Sequence, residues 1–284
     1  MVHSALVTGA NKGLGFECVK QLSAAFPDAI IFMGTRSASR GAESLAKLHA
    51  TNLGQNVQVL ELDVLDPLSI ERARVNVQDR LGKSTGLDVL INNAGVSGFD
   101  GNVASVFEVN VFAVKNVTNA FLPIISVDGL VINVSSEAGT WAQHHMNAEL
   151  QRVFEDIENA TWDKVFELAL DYQKPVRKYE WPAVEDTVGA YGISKALLNF
   201  YSRRLAAENL AVRFVSVCPG SCATDINGNT GYRTAAKGGS SILWPVLNSG
   251  FTTGLLYQDG KALEFAAPMS AEFAAHLKSL QGSS

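Results

Sequence analysis

Tyr191-Gly192-Ile193-Ser194-Lys195 sets a phenol and an ammonium four positions apart. On a helix this spacing puts both side chains on one face, one turn apart. A phenol ordinarily titrates near pH ~10, so at neutrality it is a reluctant acid-base group. A neighbouring ammonium favours phenolate and brings the group toward working pH. Tyr191 is thus a candidate proton donor with Lys195 as its helper. Two further hydroxyls, Ser135 and Ser136, follow the apolar run Val131-Ile132-Asn133-Val134. A hydroxyl placed there can hydrogen-bond a carbonyl oxygen that gains negative charge. Asn110, in Phe107-Glu108-Val109-Asn110-Val111, is a polar residue of modest propensity inside a helical stretch.

Alone, a Tyr-x-x-x-Lys pair is a weak signal, so the elements that carry it matter. Short apolar runs at Ala5–Thr8, Ala29–Gly34, Val57–Leu62, Leu87–Ile91, Leu130–Val134, Val212–Val217 and Gly254–Tyr257 predict about seven strands. Longer amphipathic stretches separate them, among them Leu14–Ala25, Arg40–Leu53, Ser69–Leu81, Ser105–Phe121 and Tyr191–Glu208. The alternation predicts an α/β fold, a doubly wound parallel sheet of Rossmann type with helices on both faces. In such sheets ligands sit beyond the carboxyl ends of the strands. Residues 139–190 break the rhythm. Asn147–Glu158 and Trp162–Tyr172 repeat apolar residues at helical spacing, which predicts a helical insertion before Tyr191. No linker or change of composition divides the chain, so residues 1–284 read as one domain containing the insertion.

The first strand runs into Thr8-Gly9-Ala10-Asn11-Lys12-Gly13-Leu14-Gly15. Gly9 permits a sharp turn, Gly13 a close approach of backbone to a pyrophosphate, and Gly15 tight packing of helix on strand. The helix N-terminus that follows offers free N–H groups and partial positive charge to an anion. In this context the loop predicts dinucleotide binding. An acidic residue after the second strand would bind the ribose 2′-hydroxyl of NAD. Here the chain reads Gly34-Thr35-Arg36-Ser37. The forked cation of Arg36 suits a 2′-phosphate, and Lys12 adds a second positive charge, which favours NADPH/NADP+ over NADH.

The glycine spacing, the Tyr-x-x-x-Lys pair and Asn92-Asn93-Ala94-Gly95 after the fourth strand resemble the short-chain dehydrogenase/reductase family. The resemblance covers nearly the whole chain and implies a tetrad of Asn110, Ser136, Tyr191 and Lys195, with Ser136 rather than Ser135 as the catalytic serine. It implies cofactor contacts from Gly9, Asn11, Lys12, Gly13, Leu14, Gly15, Arg36, Asp63, Val64, Asn92, Ala94, Gly95, Tyr191 and Lys195. Pro219-Gly220-Ser221-Cys222-Ala223-Thr224 resembles the segment that closes over nicotinamide and pyrophosphate, which adds Pro219, Gly220, Cys222 and Thr224. The long stretch between Ser136 and Tyr191 is similar to that of monomeric carbonyl reductases and the plant menthone and salutaridine reductases. It implies a monomer that reduces a small-molecule ketone, aldehyde or quinone. Ser221 stands where carbonyl reductases carry Trp, so their substrate range does not transfer. Oxidation of an alcohol or steroid with NADP+, and a non-catalytic NADPH-binding regulator, are the alternatives; a complete tetrad speaks against the regulator.

The formal charge of −5 and the lack of a basic cluster speak against nucleic acid. No apolar run approaches the length of a membrane span, and no signal-like segment precedes the first strand, so the cytosol is expected. Cys18, Cys218 and Cys222 form no C-x-x-C pair and read as reduced, mostly buried thiols. His144-His145 lacks a spaced carboxylate, so no metal is expected. Trp141, Met146, Trp181, Tyr232 and Trp244 are candidates to line an apolar cleft, with ordinary packing equally compatible.

Overall fold

The computed structural model describes residues 2–82, 85–98, 100–183 and 188–281. Strands β1 (Ser4–Val7), β2 (Ile30–Thr35), β3 (Val57–Glu61), β4 (Leu87–Asn92), β5 (Ile125–Val134), β6 (Val212–Val217), β7 (Leu256–Gln258) and β8 (Lys261–Leu263) form one sheet in the order β3-β2-β1-β4-β5-β6-β7-β8. Neighbours from β3 through β7 are parallel; β8 returns antiparallel to β7. The order reverses between β1 and β4, which opens a crevice at their carboxyl ends.

Alternate strand residues enter two cores, one on each face of the sheet. Ala5 and Val7 of β1, Ile31 and Met33 of β2, and Val215 and Val217 of β6 join one; Leu6, Phe32 and Phe214 join the other. Both faces being apolar, the strands read as nearly continuous hydrophobic runs. Helices α1 (Gly13–Ala25), α2 (Ala38–His49) and α3 (Pro67–Leu81) follow the first three strands. α2 starts at Ser37, whose hydroxyl accepts from the Arg40 N–H, and α3 starts at Asp66, with Pro67 in its first turn.

Three departures from the sequence expectations have physical reasons. The sheet has an eighth strand where seven were expected. β8 is only three residues long, and Asp259 and Gly260 both adopt positive φ (49° and 79°), so an Asp-Gly turn makes a tight hairpin with β7. The helix expected over Ser105–Phe121 is broken into α4 (Val103–Phe107), a π turn (Glu108–Phe112) and α5 (Ala113–Phe121). The widened turn holds Asn110, and such turns gather at functional sites. Residues 224–248, where no element is predicted, contain α10 (Ala235–Leu247), which starts at Thr234, whose hydroxyl accepts from the Lys237 N–H. Pro245 and paired glycines hid its periodicity.

The insertion is helical: α6 (Ala138–His144), α7 (Ala148–Glu155), a 3-10 turn at Ile157–Asn159 and α8 (Trp162–Gln173). Residues 184–187 of the expected insertion lie outside the described residues. α7 and α8 pack on α9 (Gly189–Glu208) through aromatic pairs, Phe154 with Phe200 at 5.0 Å and Trp162 with Tyr201 at 5.5 Å. Asp171, 3% exposed, ties down the chain beyond α8 by accepting from the Lys178 N–H (2.7 Å), the Tyr179 N–H (3.2 Å) and the Trp181 indole (3.0 Å). A last helix, α11 (Ala271–Gln281), meets α6 where Phe273 lies 4.7 Å from Trp141. Among the described residues no helix is long and apolar enough to cross a membrane.

Candidate active site

A cleft of about 700 Å³ runs along the carboxyl edge of the sheet. One end begins at the glycine loop. Gly9 has φ 61°, and a Cβ there would lie 3.0 Å from the Ala94 Cα. At Gly15 a Cβ would come within 2.5 Å of the Asn93 Nδ2 and 2.7 Å of the Gly9 carbonyl oxygen. The loop therefore packs directly on the segment after β4. Thr8 braces both: its hydroxyl accepts from the Asn93 and Ala94 N–H groups at 3.0 Å. α1 then opens at Lys12 with no side-chain cap, whereas α2, α3, α8 and α10 each have one. An uncapped N-terminus facing a cleft offers free N–H donors to an anion, so the loop fits a pyrophosphate.

Asn11, Lys12, Gly13, Leu14, Arg36, Asp63, Val64, Ala94 and Gly95 line this end together with Gly9. Arg40, which sequence reading missed, lines it too. It lies four positions after Arg36, at the start of α2, and that spacing was the available signal. Lys12 does not stand free: its ammonium is 2.8 Å from the Asp225 carboxylate, with both side chains well exposed. Arg36 and Arg40 are thus the cations most available to a 2′-phosphate. Asp63 lies on the wall, and its carboxylate also accepts from the Leu65 N–H at 3.0 Å. Asn92 departs from its expected place. It is buried in the sheet, donating to Thr118 (3.0 Å) and Asn133 (2.9 Å), and its neighbour Asn93 lines the cleft instead.

Farther along stand Ser135, Ser136, Tyr191 and Lys195. β5 ends at Val134, so the two serines emerge side by side. The Ser136 hydroxyl stands near the Tyr191 hydroxyl and acts to lower its pKa, while the Ser135 hydroxyl is buried without a partner. α9 carries Tyr191 and Lys195 on one face, the Lys195 ammonium 5.6 Å from the phenol ring centre. Lys195, 5% exposed, donates to the Val134 carbonyl at 2.8 Å. Burial lowers its pKa to about 8 and raises that of Tyr191 to about 12, the Ser136 hydroxyl opposing the latter. This differs from the expectation that Lys195 draws Tyr191 toward neutrality. Packing around the phenol raises its pKa, and the Lys195 ammonium donates to the Val134 carbonyl. Tyr191 is therefore held as a neutral phenol, the form that donates a proton.

Asn110 does not line the cleft. Fully buried, it accepts from the Val96 N–H (2.9 Å) and donates to the Val96 carbonyl (2.9 Å) and the Ser194 hydroxyl (3.1 Å). It joins the loop after β4 to the helix that carries Tyr191. Gly95 keeps the space between them open: a Cβ there would sit 3.2 Å from the Asn110 Oδ1 and 4.0 Å from the Lys195 Nζ.

Pro219, Gly220, Ser221, Cys222 and Thr224 form the opposite wall. Thr224 approaches Gly13 across the cleft, 3.7 Å from a Cβ placed there. Arg233, absent from the sequence reading, shapes this wall. Its backbone pairs with Ser221 and Ala223, its side chain packs on Gly220, and its guanidinium holds Asp259 at 2.7 Å. Asp259 is the turn residue of the β7–β8 hairpin, so the unexpected strand anchors the segment over the site. The three cysteines are free and buried, and burial raises the Cys218 pKa to about 12 and that of Cys222 above its usual value.

Of the five candidate cleft residues only Trp141 lines it; Phe273 of α11, not among them, lines it too. Met146 is in the core, Trp181 is bound to Asp171, Trp244 stacks on Tyr257 at 5.5 Å, and Tyr232 lies 5.0 Å from His276. The His144 and His145 rings meet edge to face, and among the described residues no three His, Cys, Asp or Glu side chains gather as metal ligands do.

Comparison with known proteins agrees with this geometry. The short chain dehydrogenase family model matches residues 3–148. Short-chain dehydrogenase/reductase 1 of Saponaria officinalis is 30% identical over 92% of this chain and 95% of its own. Carbonyl reductase [NADPH] 3 of Rattus norvegicus is 32% identical over 86% of this chain and 90% of its own. Salutaridine reductase from Papaver somniferum, a solved structure, superposes with a TM-score of 0.78 at 26% identity, covering 90% of this chain and 99% of that one. With the sheet order, the glycine loop and the Tyr191–Lys195 helix face already in place, these matches settle the family: the chain belongs to the short-chain dehydrogenases/reductases, oxidoreductases acting between C=O and CH–OH groups.

Proposed function

We propose that this protein is an NADPH-dependent carbonyl reductase. The observation that carries the reading is one cleft that joins the uncapped N-terminus of α1, the Arg36–Arg40 pair and the Ser136–Tyr191 hydroxyls. The two arginines favour a cofactor bearing a 2′-phosphate, and the rat relative is named for NADPH. When bound, the nicotinamide supplies hydride to the carbonyl carbon.

The chain's own residues handle the oxygen and the proton. Ser136 and Tyr191 present neighbouring hydroxyls to one cleft, so a carbonyl oxygen placed between them receives two donors as its negative charge grows. Tyr191 then gives up its proton to that oxygen. Lys195 contributes positive charge beside the phenol, which offsets the phenolate left behind. Asn110 keeps α9 and the β4 loop in register.

The test is NADPH oxidation against ketones, aldehydes and quinones, with NADH alongside and the reverse direction assayed with NADP+. Turnover is expected with NADPH and carbonyl compounds. Faster alcohol oxidation, or an equal preference for NADH, would overturn the reading. A monomer belongs to the same proposal, because α7 and α8 cover the face of α9. Sedimentation at a tetramer's mass would remove it.

A further inference from the structure

Glu137 follows Ser136 directly and lines the same cleft, yet it is only 9% exposed. A buried carboxylate is costly unless a cation or several donors compensate it. Burial pushes the Glu137 pKa up, and the neighbouring Ser270 hydroxyl opposes this only in part. Glu272 adds a second negative charge nearby. Arg233 is the nearby cation, but its guanidinium is turned to Asp259 at 2.7 Å. Among the described residues Glu137 forms no ion pair within 4.0 Å. Cys218 and Tyr232, which also face it, are acids held neutral by burial. The carboxyl is therefore under-compensated where it lines the cleft, within reach of a bound molecule.

Its surroundings suit a particular kind of molecule. Trp141 and Phe273 form an aromatic wall, their ring centres 4.7 Å apart. The Tyr232 hydroxyl is buried nearby with no hydrogen-bond partner. Carboxylate plus aromatic faces is an arrangement that attracts organic ammonium groups, which gain from both ion pairing and the ring quadrupole. Ser136, Tyr191 and Glu137 line the same cleft, so one bound molecule can touch all three.

We propose that Glu137 determines substrate choice: the cleft takes a carbonyl compound that carries a protonated amine, with the ammonium on the Glu137 carboxylate against Trp141 and Phe273. The proposal rests on the carbonyl-reductase reading for its carbonyl and on the observed pocket for its amine.

The test compares 4-(dimethylaminomethyl)acetophenone with 4-isobutylacetophenone, which differ in a charged nitrogen in place of a CH. Calorimetric Kd values for the full-length protein with NADP+ present, which cannot reduce the ketones, are measured at pH 7.5. We expect the amine to bind at least ten-fold tighter, and Glu137→Gln to bring the two within two-fold. Equal wild-type affinities would sink the proposal, as would a preference that survives in Glu137→Gln. If that variant does not fold, the wild-type comparison decides alone. The readout needs no turnover. Amine preference without NADPH oxidation defeats the carbonyl-reductase reading and leaves this one; equal affinities with rapid oxidation do the reverse.

Discussion

The two ends of the cleft are built differently. At the glycine-loop end, each wall residue stands within a few positions of a strand end or helix start, and much of the binding surface is backbone. Gly9, Gly13, Ala94 and Gly95 contribute almost nothing beyond main chain and absence of side chain. At the far end, the wall consists of side chains brought from distant parts of the sequence: Glu137, Trp141, Ser221 and Phe273. The first end recognises a shape that strand–turn–helix geometry makes repeatedly. The second depends on how α6, α11 and the Arg233-braced wall happen to pack. Such a molecule keeps its cofactor chemistry while its substrate end changes.

That contrast can be broken or sharpened by mutation. The largest effect is expected where the two ends meet. Tyr191→Phe removes the proton donor, and ketone turnover should fall by about 10²–10⁴-fold. NADPH binding and far-UV circular dichroism should be retained. Near-wild-type turnover would dismiss Tyr191 as the acid.

Next in size is a change that touches the insertion alone. Asp171→Ala leaves three buried or half-buried donors without their acceptor and should cost about 3 kcal/mol of stability. The thermal midpoint should drop while the Kd for NADPH stays within two-fold. Burial acts to raise the Asp171 pKa, but its backbone and Trp181 hydrogen bonds win and the net shift is downward. Asp171 therefore stabilises the fold above its unfolded pKa of about 3.9, and this is lost as pH falls through the lower folded value. The gap between wild type and variant should close under strongly acidic conditions.

Arg36→Ala tests the other end, and should weaken NADPH by about 10–100-fold with little effect on NADH. If both cofactors weaken alike, the arginine supports the loop rather than the 2′-phosphate. The smallest expected effect is in the pH profile. Lys195, lowered to about 8, loses its charge above that pH, so kcat/KM for reduction should decline by about ten-fold per pH unit beyond it. Lys195→Arg retains charge, so whatever activity remains should lack that limb. A wild-type profile flat to pH 10 would contradict the lowered value.

Much of this was legible in the amino-acid sequence because it depends on local rules. Strand and helix periodicity, the turn glycines, and a Tyr and Lys one helical turn apart are determined over windows of about a dozen residues. The class of fold, the glycine loop, the position of Tyr191 beside Lys195 and the helical insertion all came from such windows. What escaped had a different origin. β8 is too short for periodicity to register, and α10 is masked by Pro245. Asn92 and Asn93 are adjacent and chemically identical, and only strand register decides which faces the cleft. Desolvation, which raises Tyr191 and lowers Lys195 against the simple expectation, depends on everything packed around them. Arg233, Asp259, Glu137 and Phe273 are scattered along the chain, and no spacing relates them. Local sequence thus determined where backbone and proton chemistry are placed. Tertiary packing alone decided burial, and with it the proton affinities and the character of the substrate pocket.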